Sequence, residues 1–250
     1  MRQSPRIKGF FILVASAVVI LVGGMVYRQY QLSQAEEVYR KFRQEEKNVT
    51  EIKKVGHDFE KLQEINKDIY GWICVEGTKV DYPVLQGAED NYYLTHDMNG
   101  ESSVAGAIYS NSCNSKDMTD GITILYGHDM KADTMFGSLH YFDDTSFFEK
   151  HREMTLETRD GMFCYEILGV YNYNDDYLPE MFDVKNQGGV LAFNDALKKC
   201  QEAGDEMTHV RKDAQITEAD RLLVLSTCIA GQDDRRFLVV GKLSQYVDYE

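Results

Sequence analysis

Leu222-Leu223-Val224-Leu225-Ser226-Thr227-Cys228, then the polar, Gly-containing segment 229–235, then Arg236-Phe237-Leu238-Val239-Val240, is the stretch that decides the fold. Two apolar runs of strand length on either side of a short polar loop read as neighbouring antiparallel strands. Side chains alternate along a strand, so Leu222, Val224, Ser226 and Cys228 share one face, and Leu223, Leu225 and Thr227 the other. Closing the hairpin with Cys228 opposite Arg236 brings a thiol and a guanidinium to one face at one end of a sheet. Arg235 points to the opposite face in that register and stands as the alternative arginine.

Further strands are predicted at 71–75, 79–84, 105–109, 122–126, 154–157 and 163–173, with a hairpin turn at Glu76-Gly77-Thr78. The two runs above supply the strands 222–227 and 237–246. Many short strands broken by turns and short helices argue for a closed or nearly closed β-barrel rather than a βαβ array. Helical interruptions are expected at 89–94, 133–140, 145–151 and 190–203. In the last, Leu191, Ala192, Ala196, Leu197 and Cys200 form the stripe expected to pack on the barrel. Phe59, Leu62, Ile65 and Ile69 give a further helical period just before Tyr70-Gly71-Trp72-Ile73 turns to strand period.

Ahead of this domain, Arg2, Arg6 and Lys8 precede an uncharged stretch from Gly9 to Tyr27, closed by Arg28. Nineteen helical residues cover roughly 28 Å, about the hydrocarbon thickness of a bilayer. That is longer than the apolar region of a cleaved signal peptide, and the small-residue triplet Ala15-Ser16-Ala17 lies inside it rather than after it. The expected organisation is a cytoplasmic N-terminus at 1–8, a transmembrane anchor at 9–27, a helical stalk at 28–56 with Val38, Phe42, Val49 and Ile52 at irregular helical spacing, and a catalytic domain at 57–250. The protein is thus expected at the cell membrane, single-pass, with its catalytic domain outside. Arg28, Arg40, Lys41 and Arg43 dilute the charge asymmetry that sets this orientation.

The net charge is −14, and residues 1–28 hold four basic side chains and no acid, so the rest of the chain is more acidic still. Nucleic acid is excluded as a natural partner for such a surface. The five cysteines, Cys74, Cys113, Cys164, Cys200 and Cys228, include no CxxC pair and no metal-site spacing, and no cofactor is expected. Cys74 and Cys164 lie in apolar stretches and read as small core residues.

A thiol that attacks an amide needs a fraction of thiolate, an acid for the departing amine and donors for the oxyanion. Cys228, His128 and Arg236 supply these in turn. Arginine suits the last role because it stays charged and presents a planar fork of N–H groups. His96 competes for the histidine role, but its neighbours read as the end of a short helix. Asp129 beside His128 reads as a surface acid, and Asp233 and Asp234 as solvated loop acids beside the site.

Leu225-Ser226-Thr227-Cys228 resembles the cysteine signature of the sortases, membrane-anchored cysteine transpeptidases of Gram-positive bacteria, with Val224 where many members carry Thr. Tyr126-Gly127-His128 is similar to the family's histidine motif, and Arg236 before an apolar strand to its arginine. Class B members in particular are resembled in Gly71-Trp72-Ile73, in Val80-Asp81-Tyr82-Pro83-Val84-Leu85-Gln86, in Asp90-Asn91-Tyr92-Tyr93-Leu94, in the N-terminal helical extension and in the long helix before the cysteine strand. The resemblance covers about residues 57–246. It implies an eight-stranded sortase-type β-barrel, mainly β with peripheral helices. It also implies cleavage of a C-terminal sorting signal after Thr, a Cys228 thioester, and transfer to an amine of a peptidoglycan precursor. Ser226, Tyr126, Tyr177 and Leu178 are implied to line the peptide groove, with Asn91 and Leu94 on its far wall.

Other readings remain at this point. A papain-like wall hydrolase places Cys before His, the reverse of the order here. An L,D-transpeptidase needs a Ser-x-Gly-Cys signature that this sequence lacks. A non-catalytic peptide-binding module would not need all three reactive side chains.

Overall fold

The computed structural model describes residues 20–34, 36–41 and 56–249. Nine strands form one sheet: β1 (Ile69–Val75), β2 (Asp81–Leu85), β3 (Ile108–Tyr109), β4 (Ile122–Tyr126), β5 (Glu153–Thr158), β6 (Gly161–Asn174), β7 (His209–Val210), β8 (Leu222–Ile229) and β9 (Gln232–Asp248). Eight of them run β5-β1-β2-β3-β4-β8-β9-β6, and a β5–β6 pairing closes the barrel. Only β7, which the sequence did not signal, lies outside the ring. It adds to the second half of β6 beyond the reach of β5. Closure leaves few edges open to chance pairing.

Two apolar clusters explain why β4, β8 and the middle of β9 read as nearly continuous hydrophobic runs. Leu125, Leu223, Leu225, Phe237 and Val239 point into the barrel. Ile122, Ile124, Leu222, Val224, Leu238 and Val240 point outward beneath a helix. A strand buried on both faces shows no polar alternation. The face that carries Cys228 is therefore the outer, helix-covered face of the barrel.

The covering helix is α4 (Gln187–Glu202), preceded by α1 (Phe59–Ile65), α2 (Thr145–Lys150) and α3 (Leu178–Met181). Asn186 caps α4 by accepting from the Gly189 amide at 3.1 Å. Its buried stripe is Val190, Phe193 and Leu197, with Cys200 half-buried; Leu191 and Ala192 are exposed, so the expected stripe was out of phase by part of a turn. The reason is that several phases fit an apolar-rich helix, and only the shape of the β4–β8–β9 surface selects one.

Other boundaries moved for local reasons. Asp58 caps α1, but Ile69 belongs to β1 rather than to the helical period. The expected helices at 89–94 and 133–140 are 3₁₀ turns at Tyr92–Leu94 and Gly137–Asp143. The loop 229–235 shrinks to a tight turn at Ala230-Gly231, with Gly231 at φ +80°, a conformation that glycine adopts without strain. Asp233 and Asp234 are thus exposed strand residues of β9, not loop acids. Cys74 is exposed and Cys164 half-buried, not core, because their side chains alternate outward from β1 and β6; no disulfide joins cysteines among the described residues.

Most of the expected anchor 9–27 and the stalk positions Phe42, Val49 and Ile52 lie outside the described residues. Residues 20–34 and 36–41 are helical, and Tyr39 is buried edge-on against Tyr82, 5.2 Å between ring centroids. Among the described residues no helix is long and apolar enough to cross a membrane.

Candidate active site

β8 delivers Cys228 to the surface at the end where its ladder with β4 has run out. The parallel β4–β8 register ends at Tyr126 opposite Ser226, and the Gly127 amide adds a last rung to the Ser226 carbonyl at 3.3 Å. Cys228 lies two residues further on and is exposed, whereas Ser226 and Thr227 are buried. Across the hairpin Cys228 is the Cα partner of Arg236. Opposite the step from Cys228 to Ile229 the partner numbering on β9 jumps from Arg236 to Gln232, so β9 bulges there.

The two arginines diverge as strand alternation requires. Arg235 donates from Nε to Oδ1 of buried Asn172 at 2.8 Å and from Nη2 to the Asn172 carbonyl at 3.3 Å. Arg236 donates only to backbone, the Asp233 and Arg235 carbonyls at 3.1 and 2.7 Å, and is half-buried beside Cys228.

His128 follows β4 through Gly127, a position with no room for a side chain: a Cβ there would stand 2.5 Å from Ile108 Cδ1 and 2.8 Å from the Phe136 ring. The His128 Nε2 is 2.8 Å from the Leu94 carbonyl. A carbonyl only accepts, so this nitrogen carries a proton. His96 instead stacks on Tyr92, 4.0 Å between rings, and does not border the cleft.

One cleft of about 340 Å3 is bordered by Cys228, His128, Arg236, Ser226, Tyr126, Tyr177, Leu178, Asn91 and Leu94. All nine side chains singled out for the site thus meet in one place, although they come from five separate segments. Tyr109, Tyr126 and Tyr177 stand in a row along it, with ring centroids 5.5 and 6.4 Å apart. The Tyr126 hydroxyl is buried without a hydrogen-bond partner, and burial pushes its pKa well up. The phenol therefore stays neutral and keeps a proton to donate.

Three contributors escaped sequence reasoning. Asn111, fully buried, accepts the Asn91 amide at 3.1 Å and donates to the Tyr177 hydroxyl at 2.8 Å, tying opposite walls together. Tyr109 donates to Asn91 Oδ1 at 3.1 Å. His140 lies 3.0 Å from the Cys228 carbonyl, against the ring of Phe237. A lone Asn or His in a turn-rich segment carries no periodic signal. Asp129, expected at the surface, is half-buried and faces His140 at 3.9 Å, because the chain after His128 turns inward; its burial raises its pKa.

The sortase domain family matches residues 73–244. The chain belongs to the sortase family. It is 32% identical over 197 residues to sortase B of Listeria monocytogenes, covering 76% of this chain and 75% of that one. Sortase B of Staphylococcus aureus is 29% identical over 248 residues, covering 95% and 98%. A solved Staphylococcus aureus sortase B–substrate complex superposes with a TM-score of 0.71 at 28% identity, covering 87% of this chain and 98% of that one. This sortase is a class B cysteine transpeptidase that anchors surface proteins, and the hydrolase and binding-module readings are not favoured.

Proposed function

We propose that Cys228 is the nucleophile, His128 the general acid and base, and Arg236 the oxyanion donor of this sortase. The observation that carries the reading is the pairing of exposed Cys228 with Arg236 across the β8–β9 hairpin, in the cleft that His128 borders. The Cys228 thiolate attacks the carbonyl carbon of the sorting-signal Thr. The carbonyl electrons move to oxygen, where the Arg236 fork meets the negative charge. Collapse breaks the C–N bond as His128 gives its proton to the departing amine, leaving a thioester. An amine of a peptidoglycan precursor attacks that thioester, His128 takes its proton, and the thiolate is released. Ser226, Tyr126, Tyr177 and Leu178, with Asn91 and Leu94 opposite, hold the sorting peptide.

Incubation with a fluorogenic sorting peptide tests the assignment. A covalent adduct of acyl mass on Cys228 is expected, and Cys228→Ala loses both adduct and turnover with its fold intact. Turnover surviving in that variant removes the nucleophile.

The membrane anchor at 9–27 belongs to the same proposal, with residues 1–8 cytoplasmic and the catalytic domain outside. Its support is the uncharged stretch itself, whose described part, from Ile20 on, is helical and exposes Ile20, Leu21, Val22, Met25 and Val26. Alkaline extraction of membranes is expected to leave the full chain in the pellet and release a chain lacking residues 1–28.

A further inference from the structure

We propose that His140 is a positioning residue for Cys228, completing by a side chain the hydrogen-bond ladder that β4 leaves unfinished at the nucleophile. The inference rests on the assignment of Cys228 above.

In the parallel β4–β8 ladder, Ser226 faces Tyr126 and its carbonyl accepts from the Gly127 amide. The repeat of two along a strand turns the Cys228 carbonyl to the same side. Its partner in an unbroken ladder would be the amide of Asp129. The chain has left the ladder by then: the Phe136 amide donates to the His128 carbonyl at 3.0 Å, and Asp129 bridges to Met135. His140 Nε2 occupies the vacated rung, 3.0 Å from the Cys228 carbonyl.

The imidazole is itself fixed on three sides. Phe237, the β9 residue next to Arg236, lies 4.7 Å from it ring to ring. Asp143 Oδ2 is 3.4 Å from Nδ1, and Asp129 Oδ2 is 3.9 Å from Nε2. The Cys228 carbonyl only accepts, so Nε2 must carry a proton, and a carboxylate facing Nδ1 favours a second one there. Burial alone would lower the His140 pKa, but the Asp143 hydrogen bond, the Cys228 carbonyl and the charges of Asp143 and Asp129 outweigh it and raise it. The contact sets the peptide plane of Cys228 and hence the direction of Cα–Cβ. A displacement of about 1 Å at a reacting atom costs about 10²-fold in rate.

Three variants test the inference by where each can place an N–H. Glutamine puts its amide nitrogen near the place of Nε2, asparagine near that of Nδ1, and alanine offers none. His140→Ala and His140→Asn are expected to lower kcat of acyl-enzyme formation by about 10–100-fold, with KM for the peptide little changed. His140→Gln is expected to recover most of the rate. Equal loss in the Gln and Asn variants, or an Ala variant within about twofold of the parent, overturns the inference. The rate of iodoacetamide addition at Cys228, located by mass spectrometry, is measured in all three and should follow the same order. That readout concerns the thiol's placement alone, whereas a Cys228→Ala protein that still turns over defeats the nucleophile assignment instead.

Discussion

Cys228 and Arg236 are Cα partners on adjacent antiparallel strands, on the outer face of the barrel and immediately above a bulge in β9. The pairing fixes the thiol and the guanidinium relative to one another through backbone hydrogen bonds rather than through side-chain contact. Arg236 gives its hydrogen bonds to two backbone carbonyls of its own strand.

Arg236→Lys is expected to lower acyl-enzyme formation by about 10²–10³-fold, the usual cost of losing one oxyanion donor, because an ammonium cannot reproduce the planar fork. Pre-steady-state acylation rates measure this. An inactive Arg235→Ala with a near-normal Arg236→Ala would show that the neighbouring arginine holds the role.

Arg235→Ala is expected to act on stability instead. Asn172 is buried, and the substitution strips its Oδ1 of the 2.8 Å donor, a cost of about 1–3 kcal/mol. Urea denaturation should show the lower midpoint, and turnover at a temperature where the variant is folded should stay within severalfold of the parent.

Gly127→Ala forces a Cβ against Ile108 and the fully buried Phe136 ring, directly before His128. Overpacking of this kind costs about 1–3 kcal/mol. Thermal melting is expected to reveal the loss, and because β4 must shift to relieve the clash, acylation is expected to fall as well. A variant with parent-like melting and acylation would mean that the chain yields there freely.

Stability should carry a pH dependence from His140. Its pKa is raised in the folded protein, so the native state binds that proton more tightly than the unfolded chain. The stabilisation is complete below the unfolded value of about 6.5 and vanishes as pH rises through the higher folded value. The melting temperature of the parent minus that of His140→Gln should therefore shrink from about pH 5.5 to about pH 8.5. A difference that is flat or grows with pH contradicts a protonated His140.

The residues' own chemistry and periodicity determined a good deal. Alternation in 222–228 and 236–240 was enough to face Cys228 toward Arg236, since hairpin register follows from a short turn and a repeat of two. Closely spaced short strands indicated a barrel, and the eight predicted runs are its eight ring strands. Tertiary structure alone decided which face of β8 looks inward, because both faces are apolar and only the competition between the barrel interior and α4 assigns them. It also decided the phase of α4, the inward turn of Asp129, and the meeting of Asn111 and His140 with groups 20 to 88 positions away. Local sequence encodes what neighbouring residues do to each other through backbone geometry. Contacts made only after the sheet has closed leave no period in the chain to read.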